Sequence, residues 1–202
     1  MASDRAIPLS ERALPVGSVG RHAGGWWGMW TLIVTEAALF GYLIFSYLYL
    51  YSQYTGKWPP EGLPKLGTAG INTVVLLFSS VFVWLCEYLV KRRRFRLAAG
   101  SMFVGIVLGI LFVGLQMKEY HDHHYGPSTH LYGSLYYTIT GFHMLHVMVG
   151  LCVLTFLLIC TGLKYFDDRR HSALTIGGMY WHFVDIVWLF IFSTLYLSPY
   201  VL

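Results

Sequence analysis

Polar and apolar positions along this chain fall into long blocks rather than short amphipathic periods. Apolar residues dominate from Trp26 to about Tyr51, Ala69 to Val90, Leu97 to Met117, Leu131 to Gly162 and Leu174 to Leu197. Roughly 20 residues, each rising about 1.5 Å, carry a helix across a hydrocarbon core of about 30 Å, so every block is long enough to span a bilayer. The breaks are equally plain. Pro59 and Pro60 cannot continue a helix. The segment Lys91-Arg-Arg-Arg-Phe-Arg96 places five cations in six positions, and these do not enter hydrocarbon. Polar residues fill 118–130 and 164–171. The pattern predicts an all-α integral membrane bundle of five transmembrane helices, over 26–51, 69–90, 97–117, 131–162 and 174–197. They form one membrane domain, 26–202, behind an N-terminal tail, 1–25.

Composition strengthens this picture. Of 202 residues, 56% are hydrophobic and 12% charged, about half the charged share of an ordinary soluble domain. The formal charge of +4 points to no nucleic acid, because the cations sit in short loops and form no extended stripe. Their distribution instead predicts orientation. Eleven Lys and Arg lie in the tail, the 91–96 loop and the 164–170 loop, against three in 52–68 and 118–130. The positive-inside rule then puts the N-terminus in the cytoplasm and the C-terminus outside. The tail has no apolar stretch that could serve as a cleavable signal, so the first helix is expected to direct insertion. Trp26, Trp27, Trp58 and Tyr200 lie near block ends, where aromatic belts form. Cys86, Cys152 and Cys160 fall inside apolar blocks without the spacing of a zinc or redox motif, and read as small packing residues.

Five ionisable residues interrupt the apolar blocks: Glu36, His143, His146, His182 and Asp185. Counting helical rise from the block ends puts Glu36 at a depth of about 15 Å, His182 and Asp185 at roughly 12 to 17 Å, and the two histidines of the fourth block at roughly 18 to 22 Å from the other side. All five belong to one layer near the bilayer centre. His143 with His146, and His182 with Asp185, are three residues apart and share a helix face. A charge at this depth costs on the order of 2.5 to 3.5 kcal/mol, so these groups face protein or water and are paired or neutral. Three readings stay open at this point. The layer is interhelical hydrogen-bonding glue, a proton or ion relay, or a metal centre fed by two His pairs and a carboxylate.

Other polar positions read as structure. Glu119, His121, Asp122, His123, His124 and His130 cluster beyond the third block and are expected to form a solvated outer face. Gly105, Gly109 and Gly114 sit at spacings that let a neighbouring helix approach. Asn72 and Thr73 open the second helix and either cap it or bond across an interface.

Several of these residues carry a family likeness from Gly28 to Leu197. Tyr180-Trp-His-Phe-Val-Asp-Ile-Val-Trp-Leu-Phe190 resembles the last-helix signature of subunit III of the haem-copper respiratory oxidases, and Gly141-Phe-His-Met-Leu-His-Val147 resembles the motif of the preceding helix. Thr35-Glu36, Lys57-Trp-Pro-Pro60, Asn72-Thr73 and Leu115-Gln-Met-Lys-Glu-Tyr120 match in the same order. The resemblance implies a non-catalytic subunit that packs on oxidase subunit I beside subunit II, binds phospholipid, and supports electron transfer to oxygen and proton pumping. It implies that haem and copper belong to the partner subunits, with no cofactor in this chain, and that the location is the bacterial plasma membrane. It gives Glu36 the place of a buried carboxylate reactive towards hydrophobic carbodiimides, and moves His143, His146, His182 and Asp185 towards structural roles, with Trp58, Asn72 and Glu119 as secondary positions. Trp58-Pro-Pro60 favours the cytochrome c branch. The alternatives are subunit III of a quinol oxidase, a homologue associated with nitric oxide reductase, or, in another class, a stand-alone membrane metalloenzyme or proton-coupled transporter. Many members of the family have seven helices, and this chain has room for the last five.

Overall fold

The computed structural model describes residues 24–60, 62–64, 66–123, 125–163 and 172–201. The expected tail up to residue 23, His124 and the whole of the 164–171 loop lie outside them. Five helices are long and apolar enough to cross a membrane. They are α1 (Gly24–Gln53), α2 (Leu66–Lys91), α3 (Phe95–Asp122), α4 (Leu131–Gly162) and α5 (Ser172–Phe192). A π-helical turn, Ser193–Leu197, and a last helical turn, Ser198–Val201, extend α5. The described residues contain no strand.

Helices α1, α2 and α3 outlast their apolar blocks by a few residues, the limits of α4 coincide with the predicted ones, and α5 passes the end of its block only through the π-helical and last turns. The largest difference is at α3, which runs five residues beyond Met117 to Asp122. Hydropathy stops at the hydrocarbon boundary, whereas the backbone ladder continues into the polar layer, where nothing breaks it. Glu119 is therefore a helical residue one turn from the end of α3. The basic end of α2 is held by its own side chains: Lys91 meets Glu87 at 2.8 Å, and Thr175 of α5 donates to the same carboxylate at 2.9 Å. Glu87 falls within the second apolar block and was not among the five residues singled out there.

Helix α5 is the hub, packing on α1, α2 and α4. The closest approaches follow small residues, as expected where lipid offers no hydrophobic drive between helices and van der Waals contact must do the work. Trp181 of α5 is fully buried and lies over two glycines. A methyl group on Gly109 of α3 would come within 2.9 Å of its ring, and one on Gly150 of α4 within 2.8 Å. Its indole N–H donates to Ser79 Oγ of α2 at 3.0 Å. One side chain thus joins four helices. Gly105 lets α3 close on the Ser79 carbonyl and Val83 of α2, while Gly114 touches nothing, so the small-residue reading of α3 holds for two glycines of three. Of the cysteines, Cys86 is buried, Cys160 half-buried and Cys152 exposed, so the packing reading fits the first best.

Trp58 departs from its expected place in an interfacial belt. It is half-buried in an aromatic cluster with Tyr47, Tyr51, Tyr54 and Tyr132, and its indole N–H donates to Tyr47 Oη at 3.0 Å. The Pro-Pro turn is thereby tied to α1 and α4. Trp27 and Tyr200 remain exposed, as a belt requires.

Candidate functional site

The polar layer divides into two groups. In the first, Glu36 of α1 meets His146 of α4, with Oε2 to Nε2 at 3.0 Å. The other ring nitrogen, Nδ1, lies 2.7 Å from the Phe142 carbonyl one turn earlier in α4. A carbonyl only accepts, so Nδ1 carries a proton. The Nε2–Oε2 contact then needs one further proton, held by either atom, and both arrangements leave the pair with no net charge. The ring of Phe40, one turn after Glu36, stands edge-on to His146 with centroids 5.1 Å apart and helps shield the contact. His143, on the same face of α4, is buried. Its Nε2–H donates to the Val184 carbonyl of α5 at 3.2 Å, between the rings of Phe112 and Trp188.

The second group lies between α2 and α5. Ser80 Oγ is 2.9 Å from His182 Nδ1 and also bonds Asp185 Oδ2. Among the described residues no hydrogen bond joins this group to the first. Glu36–His146 and His143–Val184 tie α1, α4 and α5 together, whereas His182 and Asp185 turn to α2. Ser79 and Ser80 supply that link, one receiving Trp181 and the other the His182–Asp185 pair. Sequence reasoning passed over both, because a serine in an apolar run is indistinguishable from a small packing residue; two adjacent serines at mid-helix were the available signal. The three imidazoles are thus committed to a carboxylate, a carbonyl and a hydroxyl in separate places. Among the described residues no three His, Cys, Asp or Glu side chains gather as a metal would require, and the metal-centre reading has no donor set.

A further network occupies the opposite end of the bundle from the basic loop. Asn72 Nδ2 donates to Gln116 Oε1 at 3.2 Å, and Gln116 Nε2 donates to Tyr136 Oη at 3.4 Å. Tyr136 and Tyr196, 2.8 Å apart, both reach Glu119 Oε1, at 3.2 and 2.7 Å. This corrects the solvated reading of Glu119: its side chain is half-buried and accepts from two phenols that are almost wholly inside. The π-helical turn explains why Tyr196 arrives there. In an unbroken α-helix the residue seven positions after Trp188 would return to its face, and the wider turn brings Tyr196, eight positions on, to within 6.5 Å of its ring. A cavity of about 270 Å³ opens beside this network, lined by Glu119, Asp122, Tyr125, Tyr132, Tyr136 and Tyr196 among others. Asn72 bonds across the α2–α3 interface, and Thr73 receives the Trp188 indole N–H at 2.9 Å, so the interface alternative for this pair is the one realised. Of the remaining cluster, His130 caps α4, accepting the Gly133 N–H at 2.8 Å.

Comparison with known proteins adds the family. Residues 18–200 match the family described as cytochrome c oxidase subunit III. The chain is 31% identical over 172 residues to "Cytochrome c oxidase subunit 3" of Thermostichus vulcanus, covering 84% of this chain and 85% of that protein. It is 33% identical over 179 residues to the protein of the same name from Coturnix japonica, covering 84% and 68%. To that of Pongo pygmaeus it is 38% identical over 148 residues, covering 71% and 56%. With five apolar spans in place, and the matched stretch taking in every one of them, this chain belongs to the cytochrome c oxidase subunit III family.

Proposed function

We propose that this chain is the accessory third subunit of a haem-copper terminal oxidase of the bacterial plasma membrane, packed on the catalytic subunit and sustaining proton uptake and pumping during oxygen reduction. The names of its relatives favour cytochrome c as electron donor. The observation that carries the accessory reading is how the intramembrane polar groups are used. Glu36, His143 and His146 bond across helices or to backbone, as groups do whose work is to hold a scaffold at depth. Glu36 and His146 share one proton without net charge, which suits a local proton store, and among the described residues no hydrogen bond carries it on to the His182–Asp185 group. The basic loop at 91–96 supports a cytoplasmic N-terminus.

Two measurements test this. Purification of the tagged chain from its native membrane in mild detergent is expected to bring a haem-bearing subunit with it, giving a visible haem spectrum. The chain expressed alone is expected to carry no stoichiometric iron, copper or manganese. Recovery of the chain by itself, with a tightly held metal lost in His143→Ala, would overturn the accessory reading in favour of a metalloenzyme. Orientation is tested separately. A cysteine at Lys57 is expected to react with a membrane-impermeant maleimide from the periplasmic side, and one at Arg93 only after the membrane is opened.

A further inference from the structure

The second polar group has an outward side. His182 and Ser80 are half-buried, whereas Asp185 behind them is 4% exposed. Ser80 lies 11 positions before Lys91, and His182 lies 10 positions after Ser172, each roughly 15 Å along its helix from the basic end. The group therefore sits deep in the apolar layer. Around it, Trp84 on α2 and Ile186 on α5 are 58% and 54% exposed, so this face is not covered by any described part of the chain.

Hydrogen-bond accounting then decides what the face can meet. A trio without net charge holds three mobile protons: each contact to Ser80 Oγ takes one, and the third is left to an outer atom, which on the open side is His182 Nε2. No described residue accepts it, and Asp185 Oδ1 is likewise without a partner. Contrast His146, whose side chain is also only partly buried but whose two ring nitrogens both have partners within the chain, Glu36 and the Phe142 carbonyl. Hydrocarbon offers no acceptor, and an unsatisfied polar group in it is costly. We propose that the α2–α5 face centred on Ser80 and His182 is the seat of a transmembrane helix from another subunit, which presents a hydrogen-bond acceptor, a side-chain oxygen or an exposed carbonyl, to His182 Nε2 at mid-membrane. The outer face of α1, with Tyr42 at 68% and Phe45 at 64% exposure and no Asp, Glu, His, Lys or Arg between Glu36 and Gln53, meets lipid instead. The inference rests on the accessory reading above and adds to it which surface is used and by what chemistry.

The test uses the oxidase assembled in its own membrane, with a photoreactive benzoylphenylalanine at Ile186, at Trp84 or, for comparison, at Phe45. Ile186 and Trp84 are expected to link to a transmembrane segment of a companion subunit, and Phe45 to lipid. In parallel, His182→Leu is expected to lower retention of the companion roughly 3- to 10-fold, the value of one intramembrane hydrogen bond, while His182→Gln, whose amide still donates, restores most of it. The melting temperature of the isolated chain shows whether His182→Leu merely unfolds it. Lipid adducts alone at Ile186 and Trp84, or linkage to a second copy of this chain, overturn the proposal while leaving the accessory reading intact. Linkage to a companion without haem sinks that reading and leaves the surface standing.

Discussion

Trp181→Ala is expected to lower the stability of the bundle more than any other single truncation, by about 3 to 5 kcal/mol, as for other buried Trp or Phe to Ala changes. The reason is its position rather than its size alone. The indole of Trp181 fills the space left by Gly109 and Gly150 and donates to Ser79, so its loss opens a cavity shared by α2, α3, α4 and α5. The converse change tests the same contact from the other side. Gly150→Leu drives a side chain into the Trp181 ring, whereas the Cβ of Gly141→Leu on the same helix meets nothing within 4 Å. The first is expected to cost about 1 to 3 kcal/mol or more by overpacking, and the second close to nothing. Unfolding of the purified chain in detergent, followed by steric trapping or loss of the monodisperse peak on heating, measures all three. Equal effects of Gly150→Leu and Gly141→Leu would show that the clasp around Trp181 does not hold the bundle.

The second large effect belongs to Glu36 and His146. Glu36→Gln is expected to leave assembly nearly intact, since the amide N–H₂ can donate to His146 Nε2 while Nδ1–H stays on the Phe142 carbonyl. Glu36→Leu removes the partner and leaves an imidazole nitrogen facing an apolar neighbour, at a cost of about 1 to 3 kcal/mol. His146→Leu is expected to cost as much or more, because it strands a carboxyl in the same setting. The double change to leucine is expected to recover part of the loss, as when both members of a buried pair are replaced by apolar groups. A thermodynamic cycle over the four variants in detergent reads the coupling directly. Strictly additive single and double losses would show that the 3.0 Å contact contributes nothing, and failure of Glu36→Gln to assemble would show that the pair requires a charge that the amide cannot supply.

These expectations draw on two kinds of information that the chain carries unequally. The five spans were legible because hydrophobicity is a property of each block by itself: roughly 20 or more apolar residues leave the backbone no way to satisfy its hydrogen bonds in lipid except as a helix. The mid-helix placement of Glu36, His143, His146, His182 and Asp185 was legible for the same reason, since helical rise turns position in the sequence into distance along the helix. Even the pairing of faces, His143 with His146 and His182 with Asp185, followed from helical periodicity. Where the apolar block ended but the helix did not, as from Lys118 to Asp122, the same reasoning stopped short and left Glu119 on a solvated face.

Which helices meet could not be obtained this way. Contact between spans depends on small residues and on hydroxyls that look alike in any apolar run, and nothing local distinguishes Ser80, which bonds His182, from Ser46, which only returns to its own helix at Tyr42. The split of the polar layer into an α1–α4 pair and an α2–α5 trio, the passage of Tyr196 through a π-helical turn to Glu119, and the use of Gly109 and Gly150 as a bed for Trp181 were decided by packing. The sequence alone determined that the chain forms five helices long and apolar enough to cross a membrane and where along them the polar groups lie, because solvation acts on each segment separately. Only the tertiary structure decided which of those groups answer one another, because a hydrogen bond depends on two atoms whose separation is set by the whole bundle.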